Sequence, residues 1–173
     1  MRRVWFSVAL ISMVVCISFA PPATADEVQS LSANINGTAF VSDDDGILLV
    51  PLRDSFTLSA DTQGASAYPP PKTRIDHLAI MCRNYPPGQT FKLTASDFAD
   101  SNCHVNFKQG VSNNGGLPAR EYALDKSSAD NTFEITQAHG KVIEGRFSFR
   151  LKDSSGNALS ISEGKFKAQD RQL

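Results

Sequence analysis

The sequence predicts an all-β fold, an antiparallel β-sandwich or flattened barrel that carries a C-terminal three-strand meander and one disulfide. Three observations predict it. The stretch from Thr132 to Ala168 contains three runs of near-alternating apolar and polar residues, separated by A-H-G and D-S-S-G-N. Turn signals, above all Asn36-Gly37 and Tyr85-Pro86-Pro87-Gly88, recur between short β-prone runs along the rest of the chain. Removal of a signal segment leaves two cysteines, Cys82 and Cys103, to pair.

The first 25 residues read as a cleaved secretory signal peptide. Arg2 and Arg3 form a positive start, Val4 to Ala20 an apolar run, and Ala23-Thr24-Ala25 a cleavage site. A lipoprotein signal is disfavoured because Val15, not a small residue, precedes Cys16. Cutting after Ala25 leaves 148 of the 173 residues, 26–173, as a single β-sandwich domain. Both arginines leave, so the net charge moves from −1 to −3. That balance excludes the clustered basic excess a nucleic-acid binder needs, and no membrane span is expected after cleavage. Trp5 and Cys16 leave as well. In an exported chain the remaining cysteines read as a disulfide. A metal set of His77, Cys82, Cys103 and His104 is the alternative, but strand neighbours Cys103 and His104 point to opposite faces.

Element by element, Leu31, Ala33 and Ile35 share a strand face, which Ala39 and Val41 continue beyond an Asn36-Gly37 hairpin turn. Asp43-Asp44-Asp45-Gly46 is a solvated turn without the spacing of a calcium loop. Ile47–Val50 and Ser55–Ala60 are short strands about Pro51. Asp61–Arg74, with Pro69-Pro70-Pro71, is a long surface loop. Ile75–Cys82 is apolar enough to be a strand covered on both faces. Ala95–Asn102 holds one helical turn capped by Ser96. Cys103, Val105 and Phe107 line a strand face, Gln109–Pro118 is a Gly/Asn-rich loop, and Glu121–Leu124 is a short strand.

In the meander, a three-residue Ala138-His139-Gly140 loop sets Ile135 opposite Ile143 and Phe133 opposite Gly145, where the phenyl ring covers bare glycine backbone. Phe147, Phe149, Leu151, Leu159 and Ile161 share that core side. Phe166 joins it only if a bulge sits at Glu163-Gly164.

No catalytic motif emerges. Gly64-Ala65-Ser66-Ala67-Tyr68 lacks the second glycine of a nucleophile elbow, and Asp76-His77 are adjacent in a strand and so diverge. No catalytic, cofactor-binding or metal-ligating residue is nominated, and no cofactor is expected. The candidate contact surface is Tyr68 in the long loop together with Arg146, Arg150, Lys152, Lys165 and Lys167 on the outer meander face.

Asn36-Gly37 in an early hairpin, F-E-I-T before a turn, then G-R-F-S-F and I-S-E-G-K-F, resembles a group of small exported bacterial β-domains of uncharacterised function. The resemblance covers the two ends of the chain and implies an all-β fold with a periplasmic or extracellular location. The functional expectation is a non-enzymatic binding module for a protein or an envelope polymer. The alternatives are a small hydrolase with an unmarked site and a structural envelope protein that assembles by strand edges.

Overall fold

The computed structural model describes residues 28–67, 75–111 and 117–171. The signal segment, Tyr68, the three prolines and the centre of the Gly/Asn-rich loop lie outside them. Eleven strands form one antiparallel sheet, folded over itself and nearly closed into a barrel. They are β1 (Ser30–Ile35), β2 (Thr38–Ser42), β3 (Ile47–Pro51), β4 (Ser55–Asp61), β5 (Ile75–Arg83), β6 (Phe91–Leu93), β7 (Cys103–Val111), β8 (Arg120–Leu124), β9 (Thr132–His139), β10 (Val142–Lys152) and β11 (Ala158–Gln169). One short helix, α1 (Ala95–Ala99), precedes β7.

The order β2-β1-β11-β10-β8-β7-β5-β4-β3 passes through β10, whose length lets it serve two neighbours. Its first half pairs with β9, which in turn pairs with β6, and its last residues pair with β8. The sheet therefore makes two facing layers. Phe56 of one stacks on Phe133 of the other at 5.3 Å, and Phe40 meets Phe107 edge-on at 6.2 Å. The buried apolar residues of both layers form one core cluster, which α1 joins through Phe98 packed on Phe149. Fully burying each such phenylalanine stabilises by about 1.5–3 kcal/mol. Cys82 and Cys103 are register partners on β5 and β7, disulfide-bonded with Cα atoms 4.1 Å apart.

The meander is present with its predicted inward set buried, and its bulge lies where the alternation broke. Phe147 pairs with Gly164 and Phe149 with Ile161, so β11 carries one extra residue there, and Glu163 takes φ +55°. The register of β9 on β10 differs from expectation. The turn has two residues, Gly140 and Lys141, between the pair His139–Val142, and a bulge at Thr136 then restores the faces. Ile135 consequently meets Gly145, and Phe133 meets Phe147. The displacement is by two residues, so the same side chains point inward. Gly145 is covered by Phe166, its partner on β11, and not by Phe133.

Three smaller expectations are also corrected. The tight turn at Asn36 (φ +48°) and Gly37 (φ +85°) pairs Ile35 with Thr38, which turns Phe40 and Ser42 inward and leaves Ala39 and Val41 exposed. β5 is covered on one face only, with Leu78, Ile80 and Cys82 buried and Met81 exposed, because among the described residues no element packs on its outer side. The helix is capped by Thr94 in a capping box with Asp97, whose carboxylate accepts from the Thr94 amide at 2.8 Å, two residues before the expected cap Ser96.

Candidate binding surface

Alternation along a strand sends every second side chain outward, and register decides which outward residues meet. Across six strands one outward row runs Lys92 (β6), Glu134 (β9), Arg146 (β10), Lys165 (β11), Ser32 (β1), Val41 (β2), each registered on the next. The neighbouring outward row is built from short side chains. Thr132 pairs with Ser148, and Ser162 with Asn34, which pairs with Ala39. Long charged residues beside short polar ones leave a trough. Six strands at roughly 4.8 Å spacing make it about 24 Å long.

The bulge deepens it. The extra residue breaks the pairing between Ser148 and β11 and places Glu163 at the junction of two depressions. One of about 320 Å³ lies between Lys92, Glu134, Arg146, Ser148 and Lys165. The other, of about 430 Å³, runs over Ser32, Asn34, Ala39 and Val41. Both include Glu163 and Lys165.

Charge along the row alternates in part. Arg146 donates to Glu134 through Nε and Nη2, each at 2.7 Å. Lys165 has no ion-pair partner among the described residues, while Glu163 stands exposed beside it. The wall thus offers three cations and two carboxylates above a floor of hydroxyl and amide groups. Such a surface suits an extended polar chain with scattered negative charge.

Of the sequence-nominated residues, Arg146 and Lys165 therefore stand together on the trough wall. The others are placed apart. Arg150 pairs with Asp130 (3.1 Å), and Lys167 with Glu144 (3.4 Å) one outward row further on. Lys152 pairs with Asp125 (2.7 Å) and faces a separate depression of about 670 Å³ across β7, β8 and β10. Tyr68 lies outside the described residues. The basic residues of this face are thus interleaved with acids from β9, β10 and the Asp125–Asp130 turn. Sequence reasoning missed the short-residue floor. Its signal is one short residue per strand, Thr132, Ser148, Ser162, Asn34 and Ala39, at the corresponding outward positions.

The residues weighed for chemistry are also located. His77 Nδ1 lies 2.7 Å from Asp61 Oδ1, a cross-strand pair with both side chains about one-third exposed. Asp76 points to the other face, as adjacency in a strand requires, and accepts from the Gly110 amide at 2.8 Å. Among the described residues no three His, Cys, Asp or Glu side chains gather to hold a metal ion, and no helix is long and apolar enough to cross a membrane. Comparison of the chain with protein-family models, curated proteins and solved structures finds no match.

Proposed function

We propose that this protein is a non-enzymatic binding module, exported to an oxidising compartment, that holds an extended, weakly acidic envelope polysaccharide along the outer trough. The observation that carries the reading is the trough itself, a six-strand outward row, charged on four of its strands, over a floor lined by hydroxyl and amide groups. Sugar hydroxyls match the floor, because Thr132, Ser148, Ser162 and Asn34 both donate and accept hydrogen bonds. The acidic groups of the polymer match Lys92, Arg146 and Lys165, with Glu134 and Glu163 discriminating against a densely charged chain. Support for export comes from the signal-like first 25 residues and from the Cys82–Cys103 bond.

The test is capture of acidic envelope polysaccharide by the purified protein, compared with the variants Arg146→Glu and Lys165→Glu. Each is expected to lower retention at least tenfold with the melting temperature unchanged, since exposed ion pairs contribute only about 0–1 kcal/mol. Retention should fall as salt shortens the screening length. A folded protein that retains no polysaccharide, or charge-reversed variants that retain it as well as the parent, would refute the assignment.

A further inference from the structure

At one end of the barrel the inward faces of three adjacent strands change from apolar to polar. Leu78, Phe107 and Tyr122 are buried and register on one another across β5, β7 and β8. Two residues nearer the barrel end on each strand, and so on the same inward face, stand Asp76, Gln109 and Arg120. Gln109 and Arg120 are register partners, and Asp76 sits in the shift between the Ile75 and His77 pairs. Opposite them, Ile35 and Phe40 of the first hairpin and Leu159 of β11 close a cavity of about 190 Å³. That is space for on the order of six waters.

Two opposite charges face this cavity without pairing with each other. The Arg120 guanidinium is held further above its ordinary range by Tyr122 beside it, ahead of the nearby Asp153. Asp76 is anchored separately. Its Oδ1 accepts from the Gly110 amide at 2.8 Å, and its own amide donates to Thr62 Oγ1 at 2.9 Å. Neither anchor engages the second carboxylate oxygen, for which no hydrogen bond is seen among the described residues. β5 and β8 are two strand spacings apart, roughly 10 Å. A cation and an anion fixed at that separation, with a primary amide between them and an apolar wall opposite, form a dipolar socket. Mouths of β-barrels are recurrent places for small-ligand sites of this build. The described ends of the two long loops, Thr62 and Leu117–Ala119, flank the same end of the barrel.

We infer that this mouth is a second binding site, distinct from the trough, that takes a short zwitterion such as a free amino acid or a dipeptide. The ligand carboxylate sits on Arg120 and the Tyr122 hydroxyl, its ammonium on Asp76, and Gln109 bridges them with its amide. The small side chain of the ligand rests on Phe40, Ile35 and Leu159. Neither charge alone satisfies the socket, so a simple carboxylate or a simple amine leaves one wall unmatched.

Isothermal calorimetry on the disulfide-bonded protein with glycine, alanine and alanyl-alanine tests this, with propionate and propylamine as single-charge probes. One zwitterion should bind once per chain, with propionate and propylamine at least tenfold weaker. Arg120→Gln and Asp76→Asn should each weaken it at least tenfold. Arg120 is exposed and the asparagine oxygen still accepts from Gly110, so both variants should keep the parent circular dichroism; should Asp76→Asn unfold, Arg120→Gln decides alone. No heat from any zwitterion, propionate binding as tightly as alanine, or a folded Arg120→Gln variant that binds like the parent would each overturn the inference.

Discussion

Glu163 holds a left-handed backbone conformation, φ +55°, that a side chain makes unfavourable by about 1–2 kcal/mol. Glycine at this position would remove that strain at some cost in unfolded-chain entropy, so Glu163→Gly should raise stability by roughly 0.5–1 kcal/mol. Denaturant titration measures it, and an unchanged midpoint would mean that the bulge carries no strain. Retaining a strained carboxylate where the two depressions join is the pattern of a residue kept for its side chain. Its neighbour behaves in the opposite way. A Cβ on Gly164 would lie 2.5 Å from Cδ2 and Cε2 of Phe147, and one on Gly145 would meet the Glu134 carbonyl as well as Phe166 Cζ at 2.5 Å. Gly164→Ala should therefore cost about 1–3 kcal/mol, since only a ring must move, and Gly145→Ala more, because backbone stands in the way. Equal midpoints for the two variants would contradict this ordering.

At the scale of elements, the disulfide joins adjacent strands 21 residues apart in sequence, with β6 and α1 in the loop it closes. Loop entropy gives it about 3 kcal/mol, so the double variant Cys82→Ala, Cys103→Ala should lose that much in chemical denaturation. A loss under about 1 kcal/mol would show that the strand pairing already constrains the loop in the unfolded chain. This bond was legible because a signal-like start leaves two cysteines in the remaining chain, with few other options for them. The meander faces were legible as well, since alternation over 8 to 12 residues leaves one consistent inward set. Register was not. A three-residue loop, and a two-residue turn followed by a bulge at Thr136, bury the same side chains, and nothing local distinguishes them. The face of β2 was missed for a related reason, because Phe40 and Val41 are both apolar and only the tight Ile35–Thr38 pair selects Phe40. The trough stayed hidden in sequence because its floor is assembled from five strands, each contributing one short residue.

At the scale of the whole molecule, the two ends of the sheet order are blunted against further pairing. On β3, Pro51 lacks an amide, the Ile47 carbonyl accepts from Gln29 Nε2 at 3.3 Å, and Leu49 bridges to Asp170. On β2, the Val41 carbonyl accepts from the Gln63 amide at 2.7 Å. The seam that nearly closes the barrel passes through one cluster. Buried Gln29 donates its own amide to Asp44 Oδ1 at 2.7 Å and its side-chain amide to the Asp44 carbonyl at 3.0 Å, and its Oε1 accepts from Gln169 at 2.8 Å. Arg171 reaches both Asp44 oxygens at 2.8 Å. Gln29 and Arg171 sit in stretches with no periodic signal, so no sequence pattern announces this closure. Arg171, followed by the Gln29 amide, holds the Asp44 carboxyl below its usual range. Lys152 and then Ser127 do the same for Asp125, as do the Thr94 amide and hydroxyl for Asp97. Asp45 is shifted upward, first by its hydrogen bond with Asp43, and so opposes the trend. A carboxyl with a depressed folded pKa contributes stability that is present above its unfolded value, about 3.9, and lost as pH falls through the folded value. Asp153 is depressed too, first by its hydrogen bond with Asn157, and four depressed groups against one raised group predict a melting temperature that is flat from pH 8 to about 5 and declines below about pH 4. The seam should yield first. Arg171→Ala should lower the melting temperature at pH 7, and its difference from the parent should shrink as the pH falls and Asp44 takes up its proton. A difference that persists undiminished at pH 2 would mean that Arg171 holds the seam by packing and not by its charge.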